Sequence, residues 1–430
     1  MDYKPGDKVE IVTADSTVSG LVMPNSNKET LFLKLSSGYN VGIDVKKIKK
    51  VNITEPFKEM KKEAAQELKT DKKLPTILVL HTGGTIASSV DYRTGGVVSK
   101  FSPEELLMMI PELKEIANIK TNAIFQMFSE DMEVAHWSIL AKTVEKQHKD
   151  IDGIIITHGT DTMAYTAAAL SFALRDLPIP VILVGAQRSS DRPSSDAATN
   201  MIAASRFIAN SDFAGVAVCM HKNEDDGISL IHAGTAVRKL HTSRRDAFRS
   251  INQKPIAEVD YKTGKVHTLR TDYLKKDKSR TLSANTDFED KVVILKVHPG
   301  FNYKQLELYA NYKGIILEGT GLGQAPTNKL DEETKDHPKL LEAIKTISKH
   351  TVVGMTSQCI YGEVNMNVYS TARDLTEAGV ASCEGMTTET AYAKLCWLLG
   401  NNSASDAKKK LSENIVGEIP ARIEKDTFLI

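Results

Sequence analysis

The segment Thr76-Ile-Leu-Val-Leu-His-Thr-Gly-Gly-Thr-Ile-Ala-Ser88 passes from a continuous apolar run directly into a glycine-rich turn. A short run that is apolar at nearly every position is typical of a strand buried on both faces of a parallel sheet. Similar apolar runs occupy Gly153–Ile156, Pro180–Val184 and Gly215–Val218. The stretches between them, Met163–Leu174 and Ala197–Ile208, have a helical pattern. This alternation predicts an α/β domain whose parallel strands are joined by right-handed crossovers.

The last third of the chain repeats the alternation, so we expect a second α/β domain. Its predicted strands are Val292–Val297, Gly314–Leu317 and Thr351–Met355, and its predicted helices are Leu340–Ser348 and Thr387–Leu399. The polar and charged segment 273–289 between the two halves is interpreted as a linker. We therefore predict an N-terminal α/β domain with the active site over residues 75–272 and a C-terminal α/β domain over residues 290–430.

The front quarter of the chain has a different pattern. Residues 1–53 alternate apolar and polar side chains, for example around Val9 and Ile11, with turn residues between the runs. About five short strands in so few residues predict a small β-barrel of SH3-like kind. Residues 54–74 follow as a predicted connector helix, since 11 of the 19 residues over 55–73 are charged around a narrow apolar stripe.

Composition limits the classes of function. The 430 residues carry 55 basic and 55 acidic side chains, so the chain cannot bind nucleic acid through bulk neutralisation of phosphates. The basic run Lys46, Lys47, Lys49 and Lys50 is interpreted as a solvated edge, with an RNA contact left open. The sparse cysteines and scattered histidines predict neither a disulfide framework nor a metal site. Without an apolar signal or membrane-spanning run, a cytoplasmic location is expected.

Two predicted strands end in turns rich in hydroxyl groups. Thr82–Ser88 follows the first strand, and His158-Gly-Thr-Asp-Thr162 follows the second. Each turn alone is explained by ordinary helix capping. Because ligands of α/β sheets bind beyond the carboxyl ends of the strands, the two turns together indicate a site where a helix N-terminus faces an anion or oxyanion. Neither turn has the lysine of a phosphate-binding loop.

These motifs resemble the bacterial-type L-asparaginase/glutaminase family. Thr-Gly-Gly-Thr-Ile-Ala at 82–87, followed by His-Gly-Thr-Asp-Thr at 158–162, is the pair that carries the resemblance. It extends from about residue 75 to residue 400 and includes Ser129-Glu-Asp-Met132, Val237-Arg-Lys239 and the helix that begins near Glu389. The resemblance implies a two-domain body with parallel sheets that hydrolyses a side-chain amide.

The resemblance also implies the roles of site residues. The implied catalytic set is Thr85, Thr160, Asp161 and Lys239. Thr85 would be the nucleophile, with Thr160, Asp161 and Lys239 as a proton relay and the Thr160 N–H as an oxyanion donor. Ser129 and Glu130 would hold the ends of the substrate. For Tyr92, in a predicted lid, a role beside Thr85 and a packed surface position are both open.

Two further motifs are interpreted as structural. Asp131 is predicted to cap a helix over Glu133–Lys146. Gly319-Thr-Gly-Leu-Gly-Gln324 imitates a dinucleotide loop, but Gln324 stands where the third glycine is needed, so no NAD site is expected.

Plain members of that family lack the front quarter, and the chain with its N-terminal β unit is similar to the D subunits of archaeal glutamyl-tRNA(Gln) amidotransferases. The resemblance implies that the chain releases ammonia from glutamine. Its partner, the amidotransferase E subunit, would bind ATP and Mg and activate Glu-tRNA(Gln), and the chain would form a homodimer within a heterotetramer. No cofactor is implied on the chain itself. The alternatives are a free-standing L-asparaginase and a catalytically silent tRNA-binding protein.

Overall fold

The structure is a computed structural model. It describes residues 3–23, 26, 28–35, 40–56, 70–83, 89–90, 97–98, 106–107, 109–188 and 195–428. Most of the predicted connector helix, together with Thr85 and Tyr92, lies outside the described residues.

The N-terminal unit is an antiparallel sheet. Its strands are β1 Lys8–Val12, β2 Thr17–Val22, β3 Thr30–Lys34, β4 Asn40–Asp44 and β5 Lys50–Glu55. They lie in the order β4-β3-β2-β1-β5, and alternate side chains such as Val9, Ile11 and Leu31 are fully buried between them. The small β unit is confirmed. Its closure into an SH3-like barrel stays a prediction, since the described residues contain no ladder between β4 and β5.

The next part of the chain is built around a large sheet. The strands of this part of the chain are β6 Thr76–Gly83, β7 Ser89–Val90, β8 Val97–Val98, β9 Asn118–Met127, β10 Gly153–Thr157, β11 Leu174–Arg175, β12 Pro180–Val184, β13 Phe213–His221, β14 Ile228–Ala233, β15 Val237–Lys239, β16 Phe248–Ser250, β17 Ala257–Asp260, β18 Val266–Thr268, β19 Leu274–Lys275 and β20 Ser283–Ala284. Three pairs of these strands, β7 with β8, β11 with β20 and β15 with β16, form separate two-stranded sheets. The helices of the same part are α1 Val134–Gln147, α2 Met163–Ala173 and α3 Ala197–Asn210.

The order of the parallel strands determines where a ligand can bind. They lie in the order β9-β6-β10-β12-β13, and the antiparallel strands β14, β17 and β18 extend the sheet beyond β13. The chain passes from β6 to β9 on one side and then returns to β10 on the other. Such a reversal opens a crevice at the carboxyl ends of the two central strands, which are β6 and β10 here.

The C-terminal domain has a parallel sheet of its own. Its strands are β21 Val292–Lys296, β22 Gly314–Gly319, β23 Val352–Ser357 and β24 Ala381–Ser382, in sequential order. Its helices are α4 Tyr303–Glu307, α5 His337–Ile347, α6 Ser370–Glu377, α7 Thr388–Asn401 and α8 Ala404–Leu411. Short 3₁₀ turns occupy Val45–Lys47, Pro111–Glu115, Ser129–Asp131 and Lys425–Thr427. The predicted two-domain α/β body with parallel strands is confirmed.

Helices α2 and α7 join the two domains. The rings of Phe172 and Trp397 stack with their centroids 5.8 Å apart, inside a hydrophobic core that contains residues of both sheets. A shared core of this kind resists separation of the domains because the apolar surface would return to water.

One prediction about a helix cap is wrong. Helix α1 begins at Val134, and its N-cap is Glu133, whose backbone N–H donates to the Nδ1 atom of His136 at 2.9 Å. Asp131 lies earlier, in the 3₁₀ turn Ser129–Asp131. This turn lies between β9 and α1, so Asp131 precedes the cap position, while the helix itself lies within one residue of the predicted bounds Glu133–Lys146.

Among the residues that the structure describes, no helix is long and apolar enough to cross a membrane.

Candidate active site

Two turns meet at the crevice beside the end of β6. Strand β6 ends at Gly83, two residues before Thr85, and Gly83 pairs with Met127 at the end of β9. The turn with Ser129 follows β9, and the turn with Thr160 and Asp161 follows β10. The sheet therefore brings Ser129, Thr160 and Asp161 to the edge from which the chain continues to Thr85.

Lys239, at the end of strand β15, contacts the Thr160 turn. Its Nζ atom donates to Thr160 Oγ1 at 2.8 Å and contacts Asp161 Oδ1, also at 2.8 Å. The side chain of Lys239 is only 15% exposed, whereas that of Asp161 is 65% exposed. An amine held between a hydroxyl and a carboxylate can exchange a proton with the hydroxyl, because it lies within hydrogen-bonding distance.

Ser129 is fixed beside the same turn. The backbone N–H of Asp161 donates to Ser129 Oγ at 3.3 Å, and the Thr162 hydroxyl donates to the Ser129 carbonyl at 2.6 Å. The two turns approach so closely at Gly159 that an added Cβ there would lie 2.7 Å from the Cβ of Ser129. Glycine is therefore required at position 159 for the Ser129 turn to contact the Thr160 turn.

A buried chain of hydrogen bonds holds the Thr160 turn in place. His158 Nδ1 lies 2.6 Å from the Gly159 carbonyl, and its Nε2 lies 2.9 Å from Thr166 Oγ1 in α2. The indole N–H of Trp137 donates to the same hydroxyl at 3.2 Å. Burial lowers the pKa of His158 to about 4, so the ring is neutral at physiological pH and acts as a structural tie.

The strand that carries Lys239 is attached to the C-terminal domain. Arg238 Nε contacts Glu389 Oε1 at 3.2 Å, and the Thr390 hydroxyl donates to the Thr235 carbonyl at 2.8 Å. Glu389 and Thr390 both belong to the first turn of α7. Strand β15 has only three residues and pairs with β16, so these contacts add to a short ladder.

The predicted site residues are distributed as follows. Ser129, Thr160, Asp161 and Lys239 lie together, and Glu130 is exposed on the Ser129 turn. Thr85 and Tyr92 are outside the described residues. Neither His158 nor Glu389 was predicted from the sequence as a support of the site. His158 lies inside the quoted His-Gly-Thr-Asp-Thr motif, whereas the partner of Glu389 is distant in sequence and gives no local signal.

The described residues contain no group of three or more His, Cys, Asp or Glu side chains placed to hold a metal ion. The segment Gly319–Gln324, which imitates a dinucleotide loop, forms a tight turn. The backbone N–H of Thr320 donates to the Gln324 carbonyl at 3.0 Å and closes this turn.

Three family models match the chain in succession. The GatD N-terminal domain matches residues 3–54, the N-terminal domain of asparaginase matches residues 76–273, and the glutaminase/asparaginase C-terminal domain matches residues 291–411. The order of the matches follows the order of the β unit and the two α/β domains.

Solved structures show the same body. The thermostable L-asparaginase from Thermococcus kodakarensis superposes with a TM-score of 0.71 at 33% identity, covering 80% of this chain and 99% of its own. L-asparaginase I from Vibrio cholerae covers the same shares with a TM-score of 0.69 at 29% identity.

Similarity over the full length is found with relatives that carry the N-terminal unit as well. The glutamyl-tRNA(Gln) amidotransferase D subunit of Pyrococcus furiosus is 47% identical over 438 residues, which cover 99% of this chain and 97% of the relative. The D subunit of Methanococcus maripaludis is 47% identical over 421 residues, which cover 96% and 97%. With all three parts matched in order, the chain belongs to the family of glutamyl-tRNA(Gln) amidotransferase D subunits, whose body is that of an asparaginase.

Proposed function

We propose that this chain hydrolyses glutamine and supplies the ammonia to a partner that converts Glu-tRNA(Gln) to Gln-tRNA(Gln). The observation that carries the proposal is the 47% identity to a D subunit across 99% of this chain. The contact of Lys239 with both Thr160 and Asp161 supports an intact amidohydrolase site.

In the proposed reaction, the hydroxyl oxygen of Thr85 attacks the side-chain carboxamide carbon of glutamine. A threonine hydroxyl is a weak nucleophile and needs a base. The proton passes by way of Thr160 to the Lys239 amine, and the Asp161 carboxylate faces that amine. The Thr160 backbone N–H, close to the start of α2, stabilises the oxyanion, a contribution of roughly 3–4 kcal/mol to the barrier.

Collapse of this intermediate breaks the carbon–nitrogen bond. The leaving nitrogen takes a proton from the relay and departs as ammonia, which leaves a glutamyl ester on Thr85. Water then hydrolyses the ester, releases glutamate and restores the hydroxyl. Ser129 and Glu130 would hold the α-carboxylate and α-ammonium ends of glutamine, and Tyr92 would belong to a lid that excludes water.

The remaining parts of the proposal concern assembly. The partner is the amidotransferase E subunit, which would bind ATP, Mg and most of the Glu-tRNA(Gln), and two copies of this chain would pair within a heterotetramer. The proposed division is an SH3-like barrel over residues 1–53, a connector helix over 54–74, two α/β domains over 75–272 and 290–430, and a linker over 273–289. The family matches at 3–54, 76–273 and 291–411 have bounds close to those of the barrel and of the two α/β domains, except at the C-terminal end.

The proposal is tested by ammonia release from glutamine and from asparagine. The purified chain is assayed alone, with its co-expressed partner, and with the partner and Glu-tRNA(Gln). We expect glutamine turnover to be low for the chain alone and to rise sharply in the full mixture. Thr85→Ala should lower turnover roughly a thousandfold or more. Near-normal turnover in that variant would overturn the assignment of the nucleophile.

The second candidate is a free-standing L-asparaginase. The similarity to the Thermococcus kodakarensis asparaginase over 80% of this chain favours it. In that case the chain alone would hydrolyse asparagine rapidly, and neither partner nor tRNA would change the rate.

A further inference from the structure

A small cavity lies beside β16, the strand that pairs with the Lys239 strand β15. Its volume is about 140 Å³, and it is enclosed by β14, β16, the segment 253–255, Tyr361 and Thr427. Arg249 lines this cavity and stands opposite Arg238 in the ladder of β15 and β16. The residues that line it are different from those that surround Thr160.

Two buried nitrogen atoms in the lining have no hydrogen-bond partner among the described residues. They are His232 Nε2 and Gln253 Nε2, and His232 is 0% exposed. Nδ1 of His232 lies 2.8 Å from the Ser250 hydroxyl. When that hydroxyl donates to Nδ1, the ring proton lies on Nε2, so both unpartnered atoms are donors. Buried donors without acceptors cost free energy, which a ligand with acceptor atoms would recover.

The charged side chains of the lining are all cations. They are Lys222, Arg249 and Lys254, and no carboxylate of the described chain belongs to the lining. Each cation has a carboxylate on another side: Lys222 contacts Glu258 at 2.6 Å, Arg249 contacts Asp246 at 2.8 Å, and Lys254 contacts both Glu424 and Asp426 at 2.9 Å. These pairs fix the positions of the cations, so the cavity presents a preorganised set of donors.

We propose that this cavity binds a small oxyanion, a phosphate or a carboxylate. Such an ion presents only acceptor atoms, which matches unpartnered N–H groups and three cationic side chains. The volume admits an anion of few heavy atoms. Ordered water would satisfy the two orphan donors as well, and saturable binding of an anion distinguishes the proposal from that case.

The proposal is tested on the full chain by isothermal titration with sodium phosphate, sodium acetate and sodium formate at constant ionic strength. We expect saturable binding of one anion per chain for at least one of the three salts, and the comparison distinguishes a phosphate site from a carboxylate site. Lys254→Met should weaken the binding about tenfold or more, because it removes a charged donor. The matched control is Lys275→Met, which removes an exposed lysine paired with Asp212 at 2.9 Å.

His232→Leu provides a second test, since it removes a donor without changing the charge. Thermal unfolding of each variant without added anion shows whether the chain remains folded. The proposal is overturned if none of the three anions binds saturably to the wild-type chain. It is equally overturned if folded Lys254→Met and His232→Leu variants bind as tightly as Lys275→Met, since the cavity would then hold water alone.

Discussion

Gly159 has no side chain because Ser129 occupies the space that one would fill. An alanine Cβ would lie 2.7 Å from Ser129 Cβ and 2.8 Å from its hydroxyl oxygen. We predict that Gly159→Ala displaces the Ser129 turn, raises the KM for glutamine and destabilises the chain by about 1–3 kcal/mol. Kinetics and urea unfolding measure the two effects.

The matched control is Gly385→Ala. An added Cβ there has its nearest neighbour at 3.5 Å, an ordinary van der Waals distance. Gly385→Ala should leave KM unchanged, and equal KM values for the two variants would refute the explanation of Gly159.

His158 links the same turn to the pH dependence of stability. Burial lowers its pKa to about 4 in the folded chain, against an ordinary value of 6.5, so the unfolded chain binds more protons between these two values. The free energy of unfolding should therefore decrease as pH falls from 6.5 to 4. His158→Asn should reduce that slope by up to about 1.4 kcal/mol per pH unit, as measured by urea unfolding.

The slope is the appropriate readout because losing the hydrogen bonds of His158 lowers stability at every pH. His350→Asn, at an exposed histidine, serves as the control substitution. Equal pH slopes for the two variants would show that His158 does not contribute to the pH dependence.

Among the secondary-structure elements, the parallel strands were predicted well from the sequence. The run Pro180–Val184 is a strand with the predicted bounds, and the strand predicted over Gly215–Val218 extends over Phe213–His221. Continuous apolar runs identify buried strands because both faces of the sheet are covered. The helix predicted over Glu133–Lys146 lies at Val134–Gln147, but its cap is Glu133 and not the predicted Asp131, because the 3₁₀ turn that holds Asp131 has no distinctive sequence pattern.

The short strand β15 shows why the position of Lys239 could not be predicted from the residues alone. Its location depends on the pairing with β16 and on the contact between Arg238 and Glu389, which lie 151 positions apart in the sequence. Local pattern carries no information about such a contact. Family resemblance identified Lys239, and the structure places its Nζ 2.8 Å from Thr160.

We predict that Glu389→Gln lowers kcat for glutamine while changing KM little, because Arg238 loses its charged partner and Lys239 is no longer held against Thr160. The pair is largely buried, at 27% and 11% exposure of the two side chains, so stability should fall by about 1–3 kcal/mol. Steady-state kinetics and urea unfolding test this prediction.

The matched control is Glu377→Gln, which changes an exposed carboxylate in α6 of the same domain. It should change stability by no more than about 0.5 kcal/mol. A kcat for Glu389→Gln equal to that of this control would show that the ion pair has no part in positioning Lys239.

Across the full chain, the two α/β domains form one catalytic body. The Thr160 turn precedes α2, the Lys239 strand contacts α7, and these two helices pack against each other through Phe172 and Trp397. The C-terminal domain therefore supports both sides of the proposed proton relay. The N-terminal unit has a separate hydrophobic core around Val9 and Ile11, and its match to the GatD N-terminal domain distinguishes the chain from plain asparaginases.

The proposed function is tested most sharply by the formation of Gln-tRNA(Gln) by the complex of this chain with its partner, with either glutamine or ammonium chloride as the nitrogen donor. We predict that Lys239→Met abolishes the glutamine-dependent reaction and leaves the ammonium-dependent reaction intact, since only the release of ammonia depends on this chain. Glutamine-dependent formation at the wild-type rate in the Lys239→Met complex would contradict the proposed function.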